Sequence, residues 1–184
     1  MNKSMMIALA ATSTMLAACA NRGMDMGAGA SADAAMAMPT DMTPEERTAY
    51  VRMAAASDLF EIQSSQLALQ RAQTPAVKQY AQMLLTHHTQ TTQQLMAAAA
   101  AAGLPPITPQ LMPMQVAMLE RLQRESGSDF DRVFIREQVP AHEMALALHD
   151  NYAMSGDTPA LRQVAATARP LVEQHLMQAR QMNR

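Results

Sequence analysis

Cysteine is nearly absent from this chain: one, Cys19, in 184 residues. A lone thiol excludes an internal disulfide and any metal site built from spaced cysteines. Tryptophan is missing, and there are only three Phe and three Tyr. A composition this poor in aromatics argues against an all-β fold, which favours aromatic and β-branched residues. Neither charge dominates, with 14 Lys and Arg against 16 Asp and Glu. With no basic stripe, nucleic acid is excluded as a partner. There is no glycine-rich phosphate loop and no nucleophile–base–acid arrangement, so no enzyme class is indicated. The one extended apolar run, Met5 to Ala18, is shorter than the roughly 20 residues that a membrane-spanning helix needs.

That run has another use. Lys3 supplies a positive start, and small residues precede the cysteine in Leu16-Ala17-Ala18-Cys19. This is the layout of a secretory signal, and its end resembles the lipobox of bacterial lipoproteins. The expected organisation is a signal peptide over 1–18, a lipidated Cys19 with a tether over 19–42, and a folded domain over 43–184. Lipidation at Cys19 makes the membrane a partner through two or more acyl chains, which hold stably where one is marginal. Ala20 and Asn21 stand where inner-membrane lipoproteins often carry Asp, so an outer-membrane position is expected. Treated as flexible coil, residues 20–42 reach roughly 26 Å.

What the chain has in plenty is methionine, 19 in all. Met24-x-Met26, Met36-x-Met38 and Met112-x-Met114 are spaced pairs. Thioethers select soft Cu(I), and they absorb oxidants as reversible sulfoxides. The competing reading is a spacer of biased composition.

From Thr43 onwards the residues are good helix formers. Thr43-Pro44, Thr74-Pro75 and Thr158-Pro159 pair an N-cap residue with a proline at the first helical position, and Glu46 completes a capping box with Thr43. Gly103, Gly127 and Gly156 are candidate helix stops. The predicted helices run over 44–72, 75–102, 113–125, 128–154 and 158–182, with Pro140 expected to kink the fourth. Two tight hairpins joined by a long crossover, 103–127, give an all-α fold: a ferritin-like four-helix bundle whose crossover carries a short extra helix. A simple up-and-down bundle with an elaborate loop is the alternative.

Ionisable residues on the apolar stripes are the candidate functional groups. Val77, Ala81, Leu84, His88, Thr91 and Leu95 follow helical spacing, as do Leu161, Val164, Ala168, Leu171, His175, Gln178 and Met182. Ile135, Gln138, His142 and His149 share a face of the next-to-last helix. Glu61 lies beside the Met53, Phe60 and Leu67 seam of the first helix, among small residues. Each long helix thus offers one inward candidate: Glu61, His88, His142 and His175. Three imidazoles and a carboxylate suit zinc, iron or copper. Alternatively, the histidines are hydrogen-bonded core residues, with His87 at the rim. Periodicity alone does not bring four groups to one height.

Several motifs together carry a family resemblance: Ala56-Ser57-x-x-Phe60-Glu61-Ile62, Val77-Lys78-x-Tyr80-Ala81-x-Met83 followed by His88, and Phe130-Asp131 through Gln138-x-x-x-His142. Tyr152-x-x-x-Gly156-Asp157-x-Pro159-Ala160-Leu161 and Pro170-x-x-x-x-His175-Leu176 extend it. The chain resembles a bacterial ferritin-like family, domain of unknown function number 4142, over about Thr43 to Arg180. The resemblance implies a helical bundle in the periplasm or at the outer membrane. Di-iron ferritin-like proteins use Glu-x-x-His on two helices, whereas Leu85, Val139 and Val172 stand three residues before the three histidines here. The functional expectation is a lipid-anchored envelope protein without enzymatic activity, acting through interactions with envelope proteins or in stress tolerance. The alternatives are a mononuclear metal site at the inward His and Glu, or capture of Cu(I) or oxidants by the Met pairs.

Overall fold

The computed structural model describes residues 44–184. The signal segment, Cys19, the tether, its methionine pairs and Thr43 lie outside the described residues. Within them the chain forms five helices: α1 Arg47–Arg71, α2 Pro75–Ala101, α3 Pro113–Arg124, α4 Gly127–Ser155 and α5 Pro159–Met182.

The helix ends show which local signals operate. The Thr74 hydroxyl accepts from the Val77 amide at 3.4 Å, with Pro75 opening α2. The first helix starts later than the Thr43-Pro44 pair suggests. Glu46 is itself the N-cap, its carboxylate accepting from the Thr48 and Ala49 amides, both at 2.8 Å. Those amides hold its carboxyl below the ordinary glutamate range, as expected where a helix N-terminus meets a negative charge. Thr158 precedes α5 but gives it no side-chain cap; its hydroxyl donates to Asp157 Oδ1 at 2.9 Å.

Gly103 does end α2, at φ +76°. The Leu104 amide bonds Ala99 O and the Gly103 amide bonds Ala100 O, both at 3.0 Å, the Schellman pattern that a left-handed residue permits. Gly127 has a positive φ too, but it opens α4 rather than closing α3. Gly156 caps α4 for a different reason. A Cβ there would lie 2.6 Å from the Tyr152 ring, so the close approach requires glycine. Pro140 sits inside α4, and Pro170 inside α5, without ending either helix.

Three contacts fix the topology. Arg47 Nη1, at the start of α1, donates to Ala102 O just past α2, at 3.2 Å, so these helices are antiparallel. Arg71 Nη1, at the end of α1, donates to Gln123 O at 2.7 Å. The Asp131 carboxylate in the first turns of α4 accepts from the Gln73 and Thr74 amides at 2.9 and 2.8 Å. The start of α4 therefore lies beside the start of α2, and the crossover must traverse the length of the bundle. Parallel α2 and α4 rule out the up-and-down alternative. Helix α1 packs on α2 and α4, and α5 packs on α4 and α2, so α2 and α4 are diagonal. Helix α3 rides over α1 and α4. It is held by a two-pronged Arg121–Glu137 pair at 2.9 and 2.8 Å.

The core divides along the bundle. One apolar cluster gathers Phe60, Tyr80, Leu84, Met118, Leu122, Phe130 and Phe134. The other gathers Tyr50, Val51, Leu95, Leu148, Tyr152 and Leu161. Each such side chain contributes about 1.5–3 kcal/mol on burial. Between them lies a waist that is buried but polar: Asp58, Glu61, His88, Gln138, His142 and His175.

Candidate metal centre

The waist brings together three of the four residues singled out from periodicity. His88 on α2, His142 on α4 and His175 on α5 are 2 %, 1 % and 0 % exposed. Their ring centroids form a triangle with sides of 5.6, 5.2 and 5.4 Å. One ring nitrogen from each lies within 4.8 Å of the other two. His88 Nε2, His142 Nε2 and His175 Nδ1 are buried without a hydrogen-bond partner.

The far nitrogen of each ring is anchored, and the three anchors differ. His88 Nδ1 donates to Asp58 Oδ1 at 2.8 Å. The other Asp58 oxygen accepts from the hydroxyls of Thr91 and Thr92, both at 3.0 Å. His142 Nδ1 donates to the Gln138 carbonyl one turn back, at 2.9 Å. A carbonyl can only accept, so the His142 proton sits on Nδ1 and Nε2 keeps its lone pair. His175 Nε2 lies 2.9 Å from His87 Nδ1, and the Tyr80 hydroxyl donates to the His175 carbonyl at 3.0 Å. Metal-binding histidines are oriented in this way, with the second nitrogen held by a carboxylate, carbonyl or side chain.

Glu61 is close by but does not join the convergence. Its Oε1 lies 3.7 Å from His142 Nδ1, the nitrogen already committed to the Gln138 carbonyl. It therefore stands behind His142 rather than opposite the bare nitrogens. Its Oε2 has no partner, and burial pushes its carboxyl up to about 7.

Electrostatics separate the three rings. Burial, then the charge of His88, lowers His142 to about 3. Burial and the neighbouring imidazoles hold His175 well below the ordinary histidine range. Both are neutral near pH 7, and His142 Nε2 has its lone pair free. Burial also works against a charge on His88, but the hydrogen bond and charge of Asp58, with Glu61, outweigh it and raise its pKa.

Periodicity alone misses Asp58, Thr91 and Thr92 as a unit. Asp58 precedes Glu61 by three residues, one helical turn, and that spacing is the available signal. His87 lies at the rim, as expected, and is partly buried.

The family model for the domain of unknown function DUF4142 matches residues 30–182. The chain belongs to this family. No curated protein matches it in sequence. Among solved structures, this DUF4142 bundle resembles a DUF305 fragment from Deinococcus radiodurans, with a TM-score of 0.66 and 17% identity, covering 77% of this chain and 96% of that one. It also resembles CopM in a Cu(II)-bound form, with a TM-score of 0.65 and 20% identity, covering 75% and 95%. A Cu(I)-bound form of CopM gives a TM-score of 0.61 and 19% identity, covering 74% and 94%. These likenesses establish a shared helical fold.

Proposed function

We propose that this DUF4142 protein is held in the cell envelope by a lipid on Cys19, and that its bundle binds one copper ion through His88, His142 and His175 in a non-enzymatic, protective role. The observation that carries the reading is a buried waist where three histidines, each with a ring nitrogen that lacks a protein partner, bring ligand atoms within 4.8 Å of one another. An unpaired buried polar group costs about 1–3 kcal/mol, and three at one point would be a heavy burden on a fold whose whole stability is about 5–15 kcal/mol. A core serving packing alone would place leucine there. Imidazole suits copper, zinc, iron and nickel alike, so ligand type does not choose among them. Charge supports copper: the Born cost of a buried ion grows with the square of its charge, which favours monovalent Cu(I) beside one paired carboxylate. CopM, of similar fold, has Cu(II)-, Cu(I)- and Ag-bound forms.

The test is copper stoichiometry in tag-free full chain. We expect about one equivalent bound at the waist, lost in His88→Ala and in His175→Ala. Stoichiometric copper that survives both changes would sink the site, and would point to Cys19 or the methionine pairs. The anchor has its own check. Wild type should need detergent for extraction from membranes, and Cys19→Ser should not; equal extraction of both contradicts the lipid.

A further inference from the structure

Of the three anchors, only one leads outwards. Asp58 is buried and clamped by two threonine hydroxyls, and the Gln138 carbonyl belongs to the helix that carries His142. The anchor of His175 is another imidazole, His87, which is only partly buried. The two rings are nearly parallel, 10° apart, with centroids 5.1 Å apart. Nδ1 of the outer ring meets Nε2 of the inner ring at 2.9 Å. Among the described residues no other hydrogen bond involves the His87 side chain, which leaves its Nε2 available.

The proton inventory of this pair is restrictive. Two neutral imidazoles carry two protons, and one of them lies in the shared hydrogen bond. If His175 Nε2 holds the shared proton and donates it, His175 Nδ1 has a lone pair facing the triangle, and His87 Nε2 bears the other proton. If His87 Nδ1 holds the shared proton, the pattern reverses. His87 Nε2 then has the lone pair on the outer side, and His175 Nδ1 is protonated towards the triangle. The inner and outer lone pairs are alternatives set by one hydrogen bond.

From this arrangement we infer that His87 is a second, solvent-side position for the ion, coupled to the buried triangle so that the two are occupied in turn. This rests on the copper reading above. A soft monovalent cation is captured at His87 Nε2. It moves inwards as the shared proton passes from His87 Nδ1 to His175 Nε2, a proton leaves His175 Nδ1, and one returns to His87 Nε2. The pair holds two protons and one cation before and after: the proton lost from His175 Nδ1 is matched by the one gained at His87 Nε2, and the cation changes sides. Release reverses the steps. The pair acts as a port to a site whose three ligands are otherwise sealed from solvent.

The experiment compares full-length wild type, His87→Asn and His87→Ala, with Ag(I) as the probe. Affinity, and rates of loading and of release to a chelator, are measured for each. The His87→Asn change places an acceptor oxygen near the position of Nδ1, so it holds His175 in the inward-ligating state but offers no imidazole to solvent. We expect His87→Asn still to bind Ag(I), and more tightly than His87→Ala, while loading and release both slow by about tenfold or more relative to wild type. Total Ag(I) at the two positions in wild type should not exceed that of His87→Asn. Wild-type rates in His87→Asn, with His87→Ala alone impaired, would reduce His87 to an orienting partner and overturn the port. Wild-type rates in both variants would overturn it as well. If wild type binds no Ag(I) at the waist, it is the copper reading that fails.

Discussion

Two histidines on α4, seven residues apart and both buried, lead opposite lives. His149 is 7 % exposed and His142 is 1 % exposed. His149 Nδ1 shares a hydrogen bond with the Tyr50 hydroxyl at 3.1 Å. Tyr50 stacks on Tyr152 at 3.8 Å between ring centroids, and the Tyr152 hydroxyl donates to Asp157 Oδ1 at 2.8 Å. Asp157 in turn accepts from the Arg47 amide at 3.3 Å, tying the α4–α5 turn to the start of α1. His149 is thus a link in a chain of satisfied contacts that closes one end of the bundle. His142 uses its own helix to satisfy one nitrogen and leaves the other facing two more bare imidazoles. Burial of a histidine therefore says little about its role; what distinguishes the two is that His149 is tied to a tyrosine hydroxyl on another helix, whereas His142 keeps a buried nitrogen without a partner beside two other imidazoles.

The sharpest way to break this contrast is to remove both imidazoles, one by truncation and one by an apolar replacement. His149→Ala removes a packed ring and leaves the Tyr50 hydroxyl buried without its partner. It should destabilise the protein by about 2–4 kcal/mol, combining a cavity with an orphaned polar group, while copper binding survives. His142→Leu should act in the reverse sense. It replaces a bare buried imidazole with an apolar side chain of similar size, so the metal-free protein should be unchanged or more stable by about 1 kcal/mol, while copper binding is lost. Denaturant midpoints of the metal-free proteins, read beside their copper content, check both. If the two substitutions cost the same stability, the waist is ordinary core and the contrast fails.

The fold was largely legible because its signals are local. Thr74-Pro75 starts α2 where the pattern places it, and Gly103 stops it. The crossover could be read from its prolines and length, but its direction could not. That rests on Arg71 and Asp131 reaching residues more than 50 positions away. The start of α1 was misplaced because Glu46 was assigned to the partner half of a capping box, when its own carboxylate caps the helix. Periodicity placed His88, His142 and His175 on inward faces, and the packed bundle brings them to one height. Periodicity also placed Glu61 near the core. It could not show that the carboxylate approaches the already protonated side of His142. Nor could it reveal Asp58, because an aspartate one turn from a glutamate reads as a solvated helix face until a histidine from α2 is packed against it.

The central claim is that the three bare nitrogens are one site, and the most direct test is to see the ion. Crystals of the copper-loaded protein, measured at the copper absorption edge, should show an anomalous peak within bonding distance of His88 Nε2, His142 Nε2 and His175 Nδ1, with Glu61 not among its ligands. An empty waist, with the anomalous density instead on Met112 and Met114 or on the N-terminal segment, would contradict it.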